Sequence, residues 1–153
     1  MYTPLILLNY PIDKDQVLLD CEDLRKKSRS YTDYRMKGKN VENWTIIKYS
    51  NSYIEKIIND FEVEASPRIY FLKPFAFIPD HVDNSTKCSI NFILSEKPAP
   101  IKIEKKHYSY TQALLDTTKT HSVLNGKEER ILLKLSIFNE TFENIAYRIK
   151  FRL

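Results

Sequence analysis

The stretch Ile78–Leu94, IPDHVDNSTKCSINFIL, carries a histidine and an aspartate two positions apart, just after a proline and just before an apolar run with strand character. Alternate residues near a strand end project to one side, so His81 and Asp83 can share a face there and reach a common ligand. The same residues also suit a turn in which Asp83 caps the backbone near Asn84 and His81 is solvated, as clusters of Asp, Asn and Ser commonly do. The surrounding pattern has to decide between a site and a turn.

That pattern is one of strands. From Pro67 onward the segments RIYFLKP, FAFIP, CSINFIL, APIKIE, ALLD, SVLN and RILLKLSIF are short and β-branched or aromatic, with Pro, Asn, Asp, Ser and Thr clusters between them. Asn125-Gly126 is the strongest hairpin signal, because both central residues of a type I′ turn need positive φ, and it would join THSVL to RILLKLSIF. The closing YRIKFRL alternates Tyr147, Ile149, Phe151 and Leu153 with Arg148, Lys150 and Arg152, which predicts a strand with one buried face.

Upstream the periodicity is helical. TPLILLNY reads as a buried strand between Pro4 and Pro11, and then Val17, Leu18, Cys21 and Leu24 fall at helical spacing with Arg25, Lys26 and Lys27 at the end the dipole favours. Trp44, Ile46, Ile47 and Tyr49 mark a return to buried structure. The run SNSYIEKIINDFEV offers a Ser/Asn cap followed by Tyr53, Ile54, Ile57, Ile58 and Phe61 on one face. Helices first and strands afterwards, with no βαβ alternation, predict an antiparallel sandwich or barrel with helices packed on one side.

Composition narrows the function. A chain of 153 residues with 42% apolar and 12% aromatic residues is globular and of single-domain size. The only glycines, Gly38 and Gly126, exclude glycine-rich phosphate loops. Cys21 and Cys88 lie far apart, which suggests neither a disulfide framework nor a zinc knuckle. The opening MYTPLILLNYPID is too short for a membrane span and lacks the layout of a secretory signal, so a cytoplasmic location and no membrane partner are expected. The formal charge of +4 fits a lysine-rich surface or an anionic partner. The basic stretch over residues 25–39, with Tyr31 and Tyr34 among its cations, is the best case for nucleic acid, although a solvated loop is the favoured reading.

An iron site that binds oxygen and a co-substrate together needs two imidazoles and one carboxylate on one face of the metal, with the other positions open. His81 and Asp83 supply two of these, and His121 follows forty positions after His81. Arg130 comes nine residues later and offers a planar fork for a carboxylate.

The order IPDHVD, then CSINFIL, then LLDTTKTHSVLNGKEERILLKLSIF resembles the core of the Fe(II)/2-oxoglutarate-dependent oxygenases, and within them the aspartyl/asparaginyl β-hydroxylase-like branch. The resemblance implies a mainly β fold, a double-stranded β-helix of the jelly-roll or cupin-like type. Residues 1–66 would be helical support and a first strand, and residues 67–153 the β-core of one domain. It implies Fe(II) held by His81, Asp83 and His121, and 2-oxoglutarate whose far carboxylate pairs with Arg130. Lys134, on the same face of that strand, is the runner-up for the carboxylate. Ser89 and Asn91 would donate further hydrogen bonds to the co-substrate, and Asn125 matches an Asn of either turn or chemical role. The implied activity is that of a dioxygenase that hydroxylates an unidentified substrate. A cupin-like metal enzyme without 2-oxoglutarate and a non-catalytic β-barrel binding module are the alternatives.

Overall fold

The computed structural model describes residues 3–27 and 44–150. Its strands are β1 (Leu5–Leu7), β2 (Trp44–Lys48), β3 (Ser66–Leu72), β4 (Phe77–His81), β5 (Cys88–Ile93), β6 (Ile101–Ile103), β7 (Lys106–Tyr108), β8 (Gln112–Leu115), β9 (His121–Leu124) and β10 (Arg130–Ile137). The helices are α1 (Lys14–Lys27), α2 (Ser52–Asp60) and α3 (Phe142–Lys150). Most of the basic stretch over 25–39 lies outside the described residues. No helix among the described residues is long and apolar enough to cross a membrane.

The strands form a six-stranded sheet in the order β1-β8-β5-β10-β3-β2 and a four-stranded sheet in the order β4-β9-β6-β7, antiparallel throughout. This is the double-stranded β-helix expected from the sequence. Period-two alternation assigns the faces of the larger sheet. Ile69, Phe71, Ile90, Phe92, Leu133 and Leu135 point one way and pack with Val17 of α1, Ile54 and Ile57 of α2, and Ile145 of α3 in the main core. The opposite face turns toward the smaller sheet, where Ile93, Ala113 and Leu115 meet Ile101 and Ile103. Polar residues between the two sheets therefore face a cavity and not the helices.

Asn51 caps α2 by accepting from the Ile54 N–H at 2.9 Å, and Ile54, Ile57 and Ile58 are buried as the spacing requires. At the far end of α1, Arg25 pairs with Glu129 and stacks 4.5 Å from the Phe71 ring centroid, which ties that helix to the start of β10.

Three sequence expectations are corrected. The closing segment is a helix through Lys150, so the last strand among the described residues ends at Ile137; Phe151 and Leu153 lie outside the described residues. Phe142, Ile145 and Ile149 are buried at i, i+3 and i+7, while Tyr147 is 69% exposed, where strand alternation would have buried it with Ile149. Asn125-Gly126 is not a hairpin turn, because β9 pairs with β4 and β6 and β10 pairs with β3 and β5 in the other sheet. Neither residue adopts positive φ. β1 is an edge strand, and Leu7 is 66% exposed.

Candidate metal centre

β4 and β9 meet in an antiparallel pair in which His81 and His121 lie directly opposite one another. A register shift between Ile78 and His81 re-aims the end of β4, as β-bulges do beside sites. The two rings are tilted by 55° with centroids 4.3 Å apart. Just past β4, the Asp83 N–H donates to the Thr117 carbonyl at 3.2 Å, and the Thr117 hydroxyl donates to the Thr86 carbonyl at 3.0 Å. Those bonds fix the loop that carries Asp83 under its neighbour.

The ring nitrogens are oriented by backbone. His81 Nδ1 lies 2.7 Å from the Pro79 carbonyl oxygen, and His121 Nδ1 lies 2.7 Å from that of Lys119. A carbonyl only accepts, so both Nδ1 atoms carry a proton, and each ring turns Nε2 inward as the nitrogen available to a metal. The two Nε2 atoms converge on Asp83 Oδ1, at 3.4 Å from His81 and 3.1 Å from His121, and the three ligand atoms lie within 4.8 Å of one another. Lone pairs and a carboxylate oxygen repel at such distances unless a cation or added protons sit between them. The donor set of two imidazoles and one carboxylate, with each ring held by a second hydrogen bond, therefore fits a divalent metal of the iron type.

The second oxygen of Asp83 is taken by Lys134, whose Nζ lies 2.6 Å from Oδ2 and 5.6 Å from the centroid of the Tyr70 ring. Burial on its own would raise the Asp83 pKa; where protons on the two Nε2 atoms, rather than a metal, lie between the rings and Oδ1, hydrogen bonds from His121 and His81 together with the Lys134 charge outweigh burial and hold the carboxyl well below the usual range. Burial lowers Lys134, and the Asp83 charge more than reverses that, so its pKa is raised.

The triad lies at one end of a cavity of about 80 Å³ between the sheets. The side chains of His81, Asp83 and His121 are 20%, 13% and 12% exposed, so solvent reaches this end. Arg130 also lines the cavity but is only 4% exposed, four residues from Lys134 along β10, roughly 13 Å. Its guanidinium donates to the Ala99 carbonyl at 2.6 Å and to the Tyr110 hydroxyl at 3.4 Å, and Asn91 donates to the same hydroxyl at 3.1 Å. No carboxylate among the described residues pairs with Arg130, and Glu129 is engaged by Arg25. Ser89 Oγ and Asn91 Oδ1 are buried in the cavity wall without a hydrogen-bond partner.

The structure thus brings His81, Asp83 and His121 together and lines one cavity with Ser89, Asn91, Arg130 and Lys134. Lys134 stands against Asp83 rather than beside Arg130. Asn125 faces away from the cavity and donates to the Leu72, Lys73 and Glu128 carbonyls at 3.1, 2.8 and 3.0 Å, which makes it a corner clamp. Tyr70 and Tyr110 also line the cavity. Asp116 and Thr117 also line it and had no signal in the sequence, because they lie in a loop that only tertiary contact carries under Asp83. His107 is exposed on β7.

No protein-family model and no curated protein matches the chain. Solved structures do. The chain is similar to a prolyl hydroxylase from Trichoplax adhaerens in complex with a hypoxia inducible factor oxygen degradation domain peptide fragment, with a TM-score of 0.70 and 10% identity over 94% of this chain and 87% of that one. It is also similar to a Pseudomonas putida prolyl-4-hydroxylase, with a TM-score of 0.66 and 12% identity over 89% of this chain and 93% of that one. A viral collagen prolyl hydroxylase from Paramecium Bursaria Chlorella virus-1, in its 2OG complex, gives 0.53 and 10% over 88% and 96%. At such identities the likeness shows the fold, the double-stranded β-helix on which these hydroxylases are built.

Proposed function

We propose that the chain is a non-heme Fe(II)- and 2-oxoglutarate-dependent oxygenase that hydroxylates its substrate. The observation that carries this is the pairing of two features in one cavity: the inward Nε2 atoms of His81 and His121 meeting Asp83 at the open end, and a buried arginine that no described carboxylate pairs with at the closed end. Iron, when bound, supplies oxygen activation coupled to oxidative decarboxylation of 2-oxoglutarate to succinate and CO₂.

The chain's own residues do the rest. His81, Asp83 and His121 would hold the metal, and the Pro79 and Lys119 carbonyls keep both rings in the ligating tautomer. Lys134 occupies the outer oxygen of Asp83 and leaves one oxygen for the metal. Arg130 and the Tyr110 hydroxyl would receive the far carboxylate of 2-oxoglutarate, with the unpartnered Ser89 Oγ and Asn91 Oδ1 as further polar contacts along its length. The apolar wall of Leu72, Ile103 and Leu132 excludes water from the reacting region. A side chain of a peptide is one substrate class that the Trichoplax complex supports. Placement in the aspartyl/asparaginyl β-hydroxylase-like branch rests on the spacing of His81, Asp83, His121 and Asn125 alone, and a cytoplasmic location on composition.

The test is an anaerobic titration of the apoprotein with Fe(II) and then 2-oxoglutarate, read by the visible charge-transfer band of the chelate. The band is expected in the wild type and absent in His121→Ala. Arg130→Met should retain Fe(II) and weaken 2-oxoglutarate about tenfold or more, the worth of a lost charge-assisted pair. Iron bound without a band would move the assignment to a cupin-like metal enzyme, and no metal bound would overturn it.

A further inference from the structure

The cross-strand register beside the triad sets three cations in a row. Lys134 of β10 lies opposite Arg68 of β3, and Arg68 lies opposite Lys48 of β2. Residues directly opposite in a sheet share a face, and Lys134 touches Asp83, so the whole row is on the face turned toward the triad. Like charges directly opposite one another destabilise a sheet unless something neutralises them.

Only Lys134 has such a partner among the described residues. Arg68 is half-buried, its Nε is buried without a hydrogen-bond partner, and no ion pair joins Arg68 or Lys48 to a described carboxylate. Of the described acids at the triad and the cavity, Asp83 is engaged by Lys134, and Asp116 Oδ1 accepts from the Thr118 N–H at 3.1 Å and from the Thr118 hydroxyl at 2.5 Å. The solvent-reached end of the cavity is therefore flanked by two cations that no described carboxylate pairs with.

We infer that Arg68 and Lys48 form an anion-receiving ledge beside the triad, and that the substrate carries a carboxylate or phosphate that docks there. The ledge is distinct from the Arg130 end of the cavity. With strands about 4.8 Å apart, the backbone of Lys48 stands roughly 10 Å from that of Lys134, with Arg68 between them. Which molecule counts as substrate rests on the oxygenase reading, whereas the anion preference of the ledge does not.

The experiment uses the full chain with 2-oxoglutarate present to fill the Arg130 end, and reads binding by amide chemical-shift titration. The probes are two matched pairs: N-acetylglutamate amide against N-acetylglutamine amide, and N-acetylphosphoserine amide against N-acetylserine amide. The acidic member of at least one pair should bind about tenfold more tightly, shifting amides of β2 and β3, and which pair responds separates carboxylate from phosphate. Arg68→Gln with Lys48→Gln should abolish that preference, with Tm showing that the fold is kept, and Arg68→Glu with Lys48→Glu should transfer it to N-acetyllysine amide. Equal binding of acidic and neutral probes by the wild type overturns the inference without any variant, as does a preference that survives the double substitution. A wild type that prefers the acidic probe yet gives no Fe(II)/2-oxoglutarate band would overturn the oxygenase reading and leave the ledge intact.

Discussion

Asp83 divides its two oxygens between two tasks, Oδ1 toward a pair of imidazoles and Oδ2 toward Lys134 at 2.6 Å. Removing one partner of a mostly buried ion pair leaves the other charge without compensation. Lys134→Met is accordingly expected to destabilise the apoprotein by about 3 kcal/mol in urea denaturation. The same substitution should tighten Fe(II) binding, because the ammonium on Oδ2 no longer repels a cation held at Oδ1, and a metal titration reads that directly. Unchanged apoprotein stability would show that Asp83 does not depend on Lys134. The triad residues were legible because a metal site must draw its ligands from a short alphabet, and after the H-x-D only two histidines follow, His107 in a basic polar segment and His121 before a strand-like run. The partner of Lys134 was not legible. The parity of β10 put it on the cavity face, but the loop that brings Asp83 to it follows β4 of the other sheet.

Elements whose periodicity is local were read correctly: α1 and α2 from their apolar stripes, and most strands from their length and their Pro, Asn and Ser boundaries. α3 was missed because AYRIK alternates as a strand does, and only the wider spacing of Phe142, Ile145 and Ile149 separates the two. Ile145 is fully buried, so Ile145→Ala should cost about 3 kcal/mol, while Tyr147→Ala, at a site 69% exposed, should cost less than about 1 kcal/mol. A terminal strand would make both costly. The helix is also held by Arg148, which pairs with Glu140 at 2.6 Å. The hydrogen bond from Arg148 lowers the Glu140 pKa below its usual 4.5. A folded value below the unfolded one means the contribution is complete above about pH 4.5 and fades as pH falls through the folded value. Glu140→Gln should therefore remove part of the acid-side loss of stability while costing about 0.5 kcal/mol at pH 7, as partly exposed pairs do. Acid titrations of the two proteins that superimpose would contradict this.

The two sheets of the whole molecule are locked at one corner, and the sequence signal there was real but misassigned. Asn125-Gly126 was read as a hairpin from local turn chemistry alone, whereas strand pairing between sheets is decided by contacts far apart in sequence. In the fold these residues cross from β9 in the smaller sheet to β10 in the larger one, against the turn between β3 and β4. The backbone clasps that turn through Phe75 N–H to the Gly126 carbonyl at 2.8 Å and Asn125 N–H to the Ala76 carbonyl at 2.9 Å. The Asn125 side chain then gives hydrogen bonds to the Leu72, Lys73 and Glu128 carbonyls, and the residue is 3% exposed. Asn125→Ala leaves those buried acceptors unmet and should cost about 2 kcal/mol in urea denaturation. Asn125→Asp should cost more despite its matching size, because a carboxylate cannot donate to carbonyls and would be buried among them. The corner also sets the register in which β9 presents His121 opposite His81 on β4. Both substitutions should thus weaken Fe(II) binding measured on the fraction that remains folded, without touching a ligand. Metal affinity that holds while stability falls would mean that the triad is positioned by its own loop contacts, the Thr117 and Lys119 carbonyls, and not by the junction between the sheets.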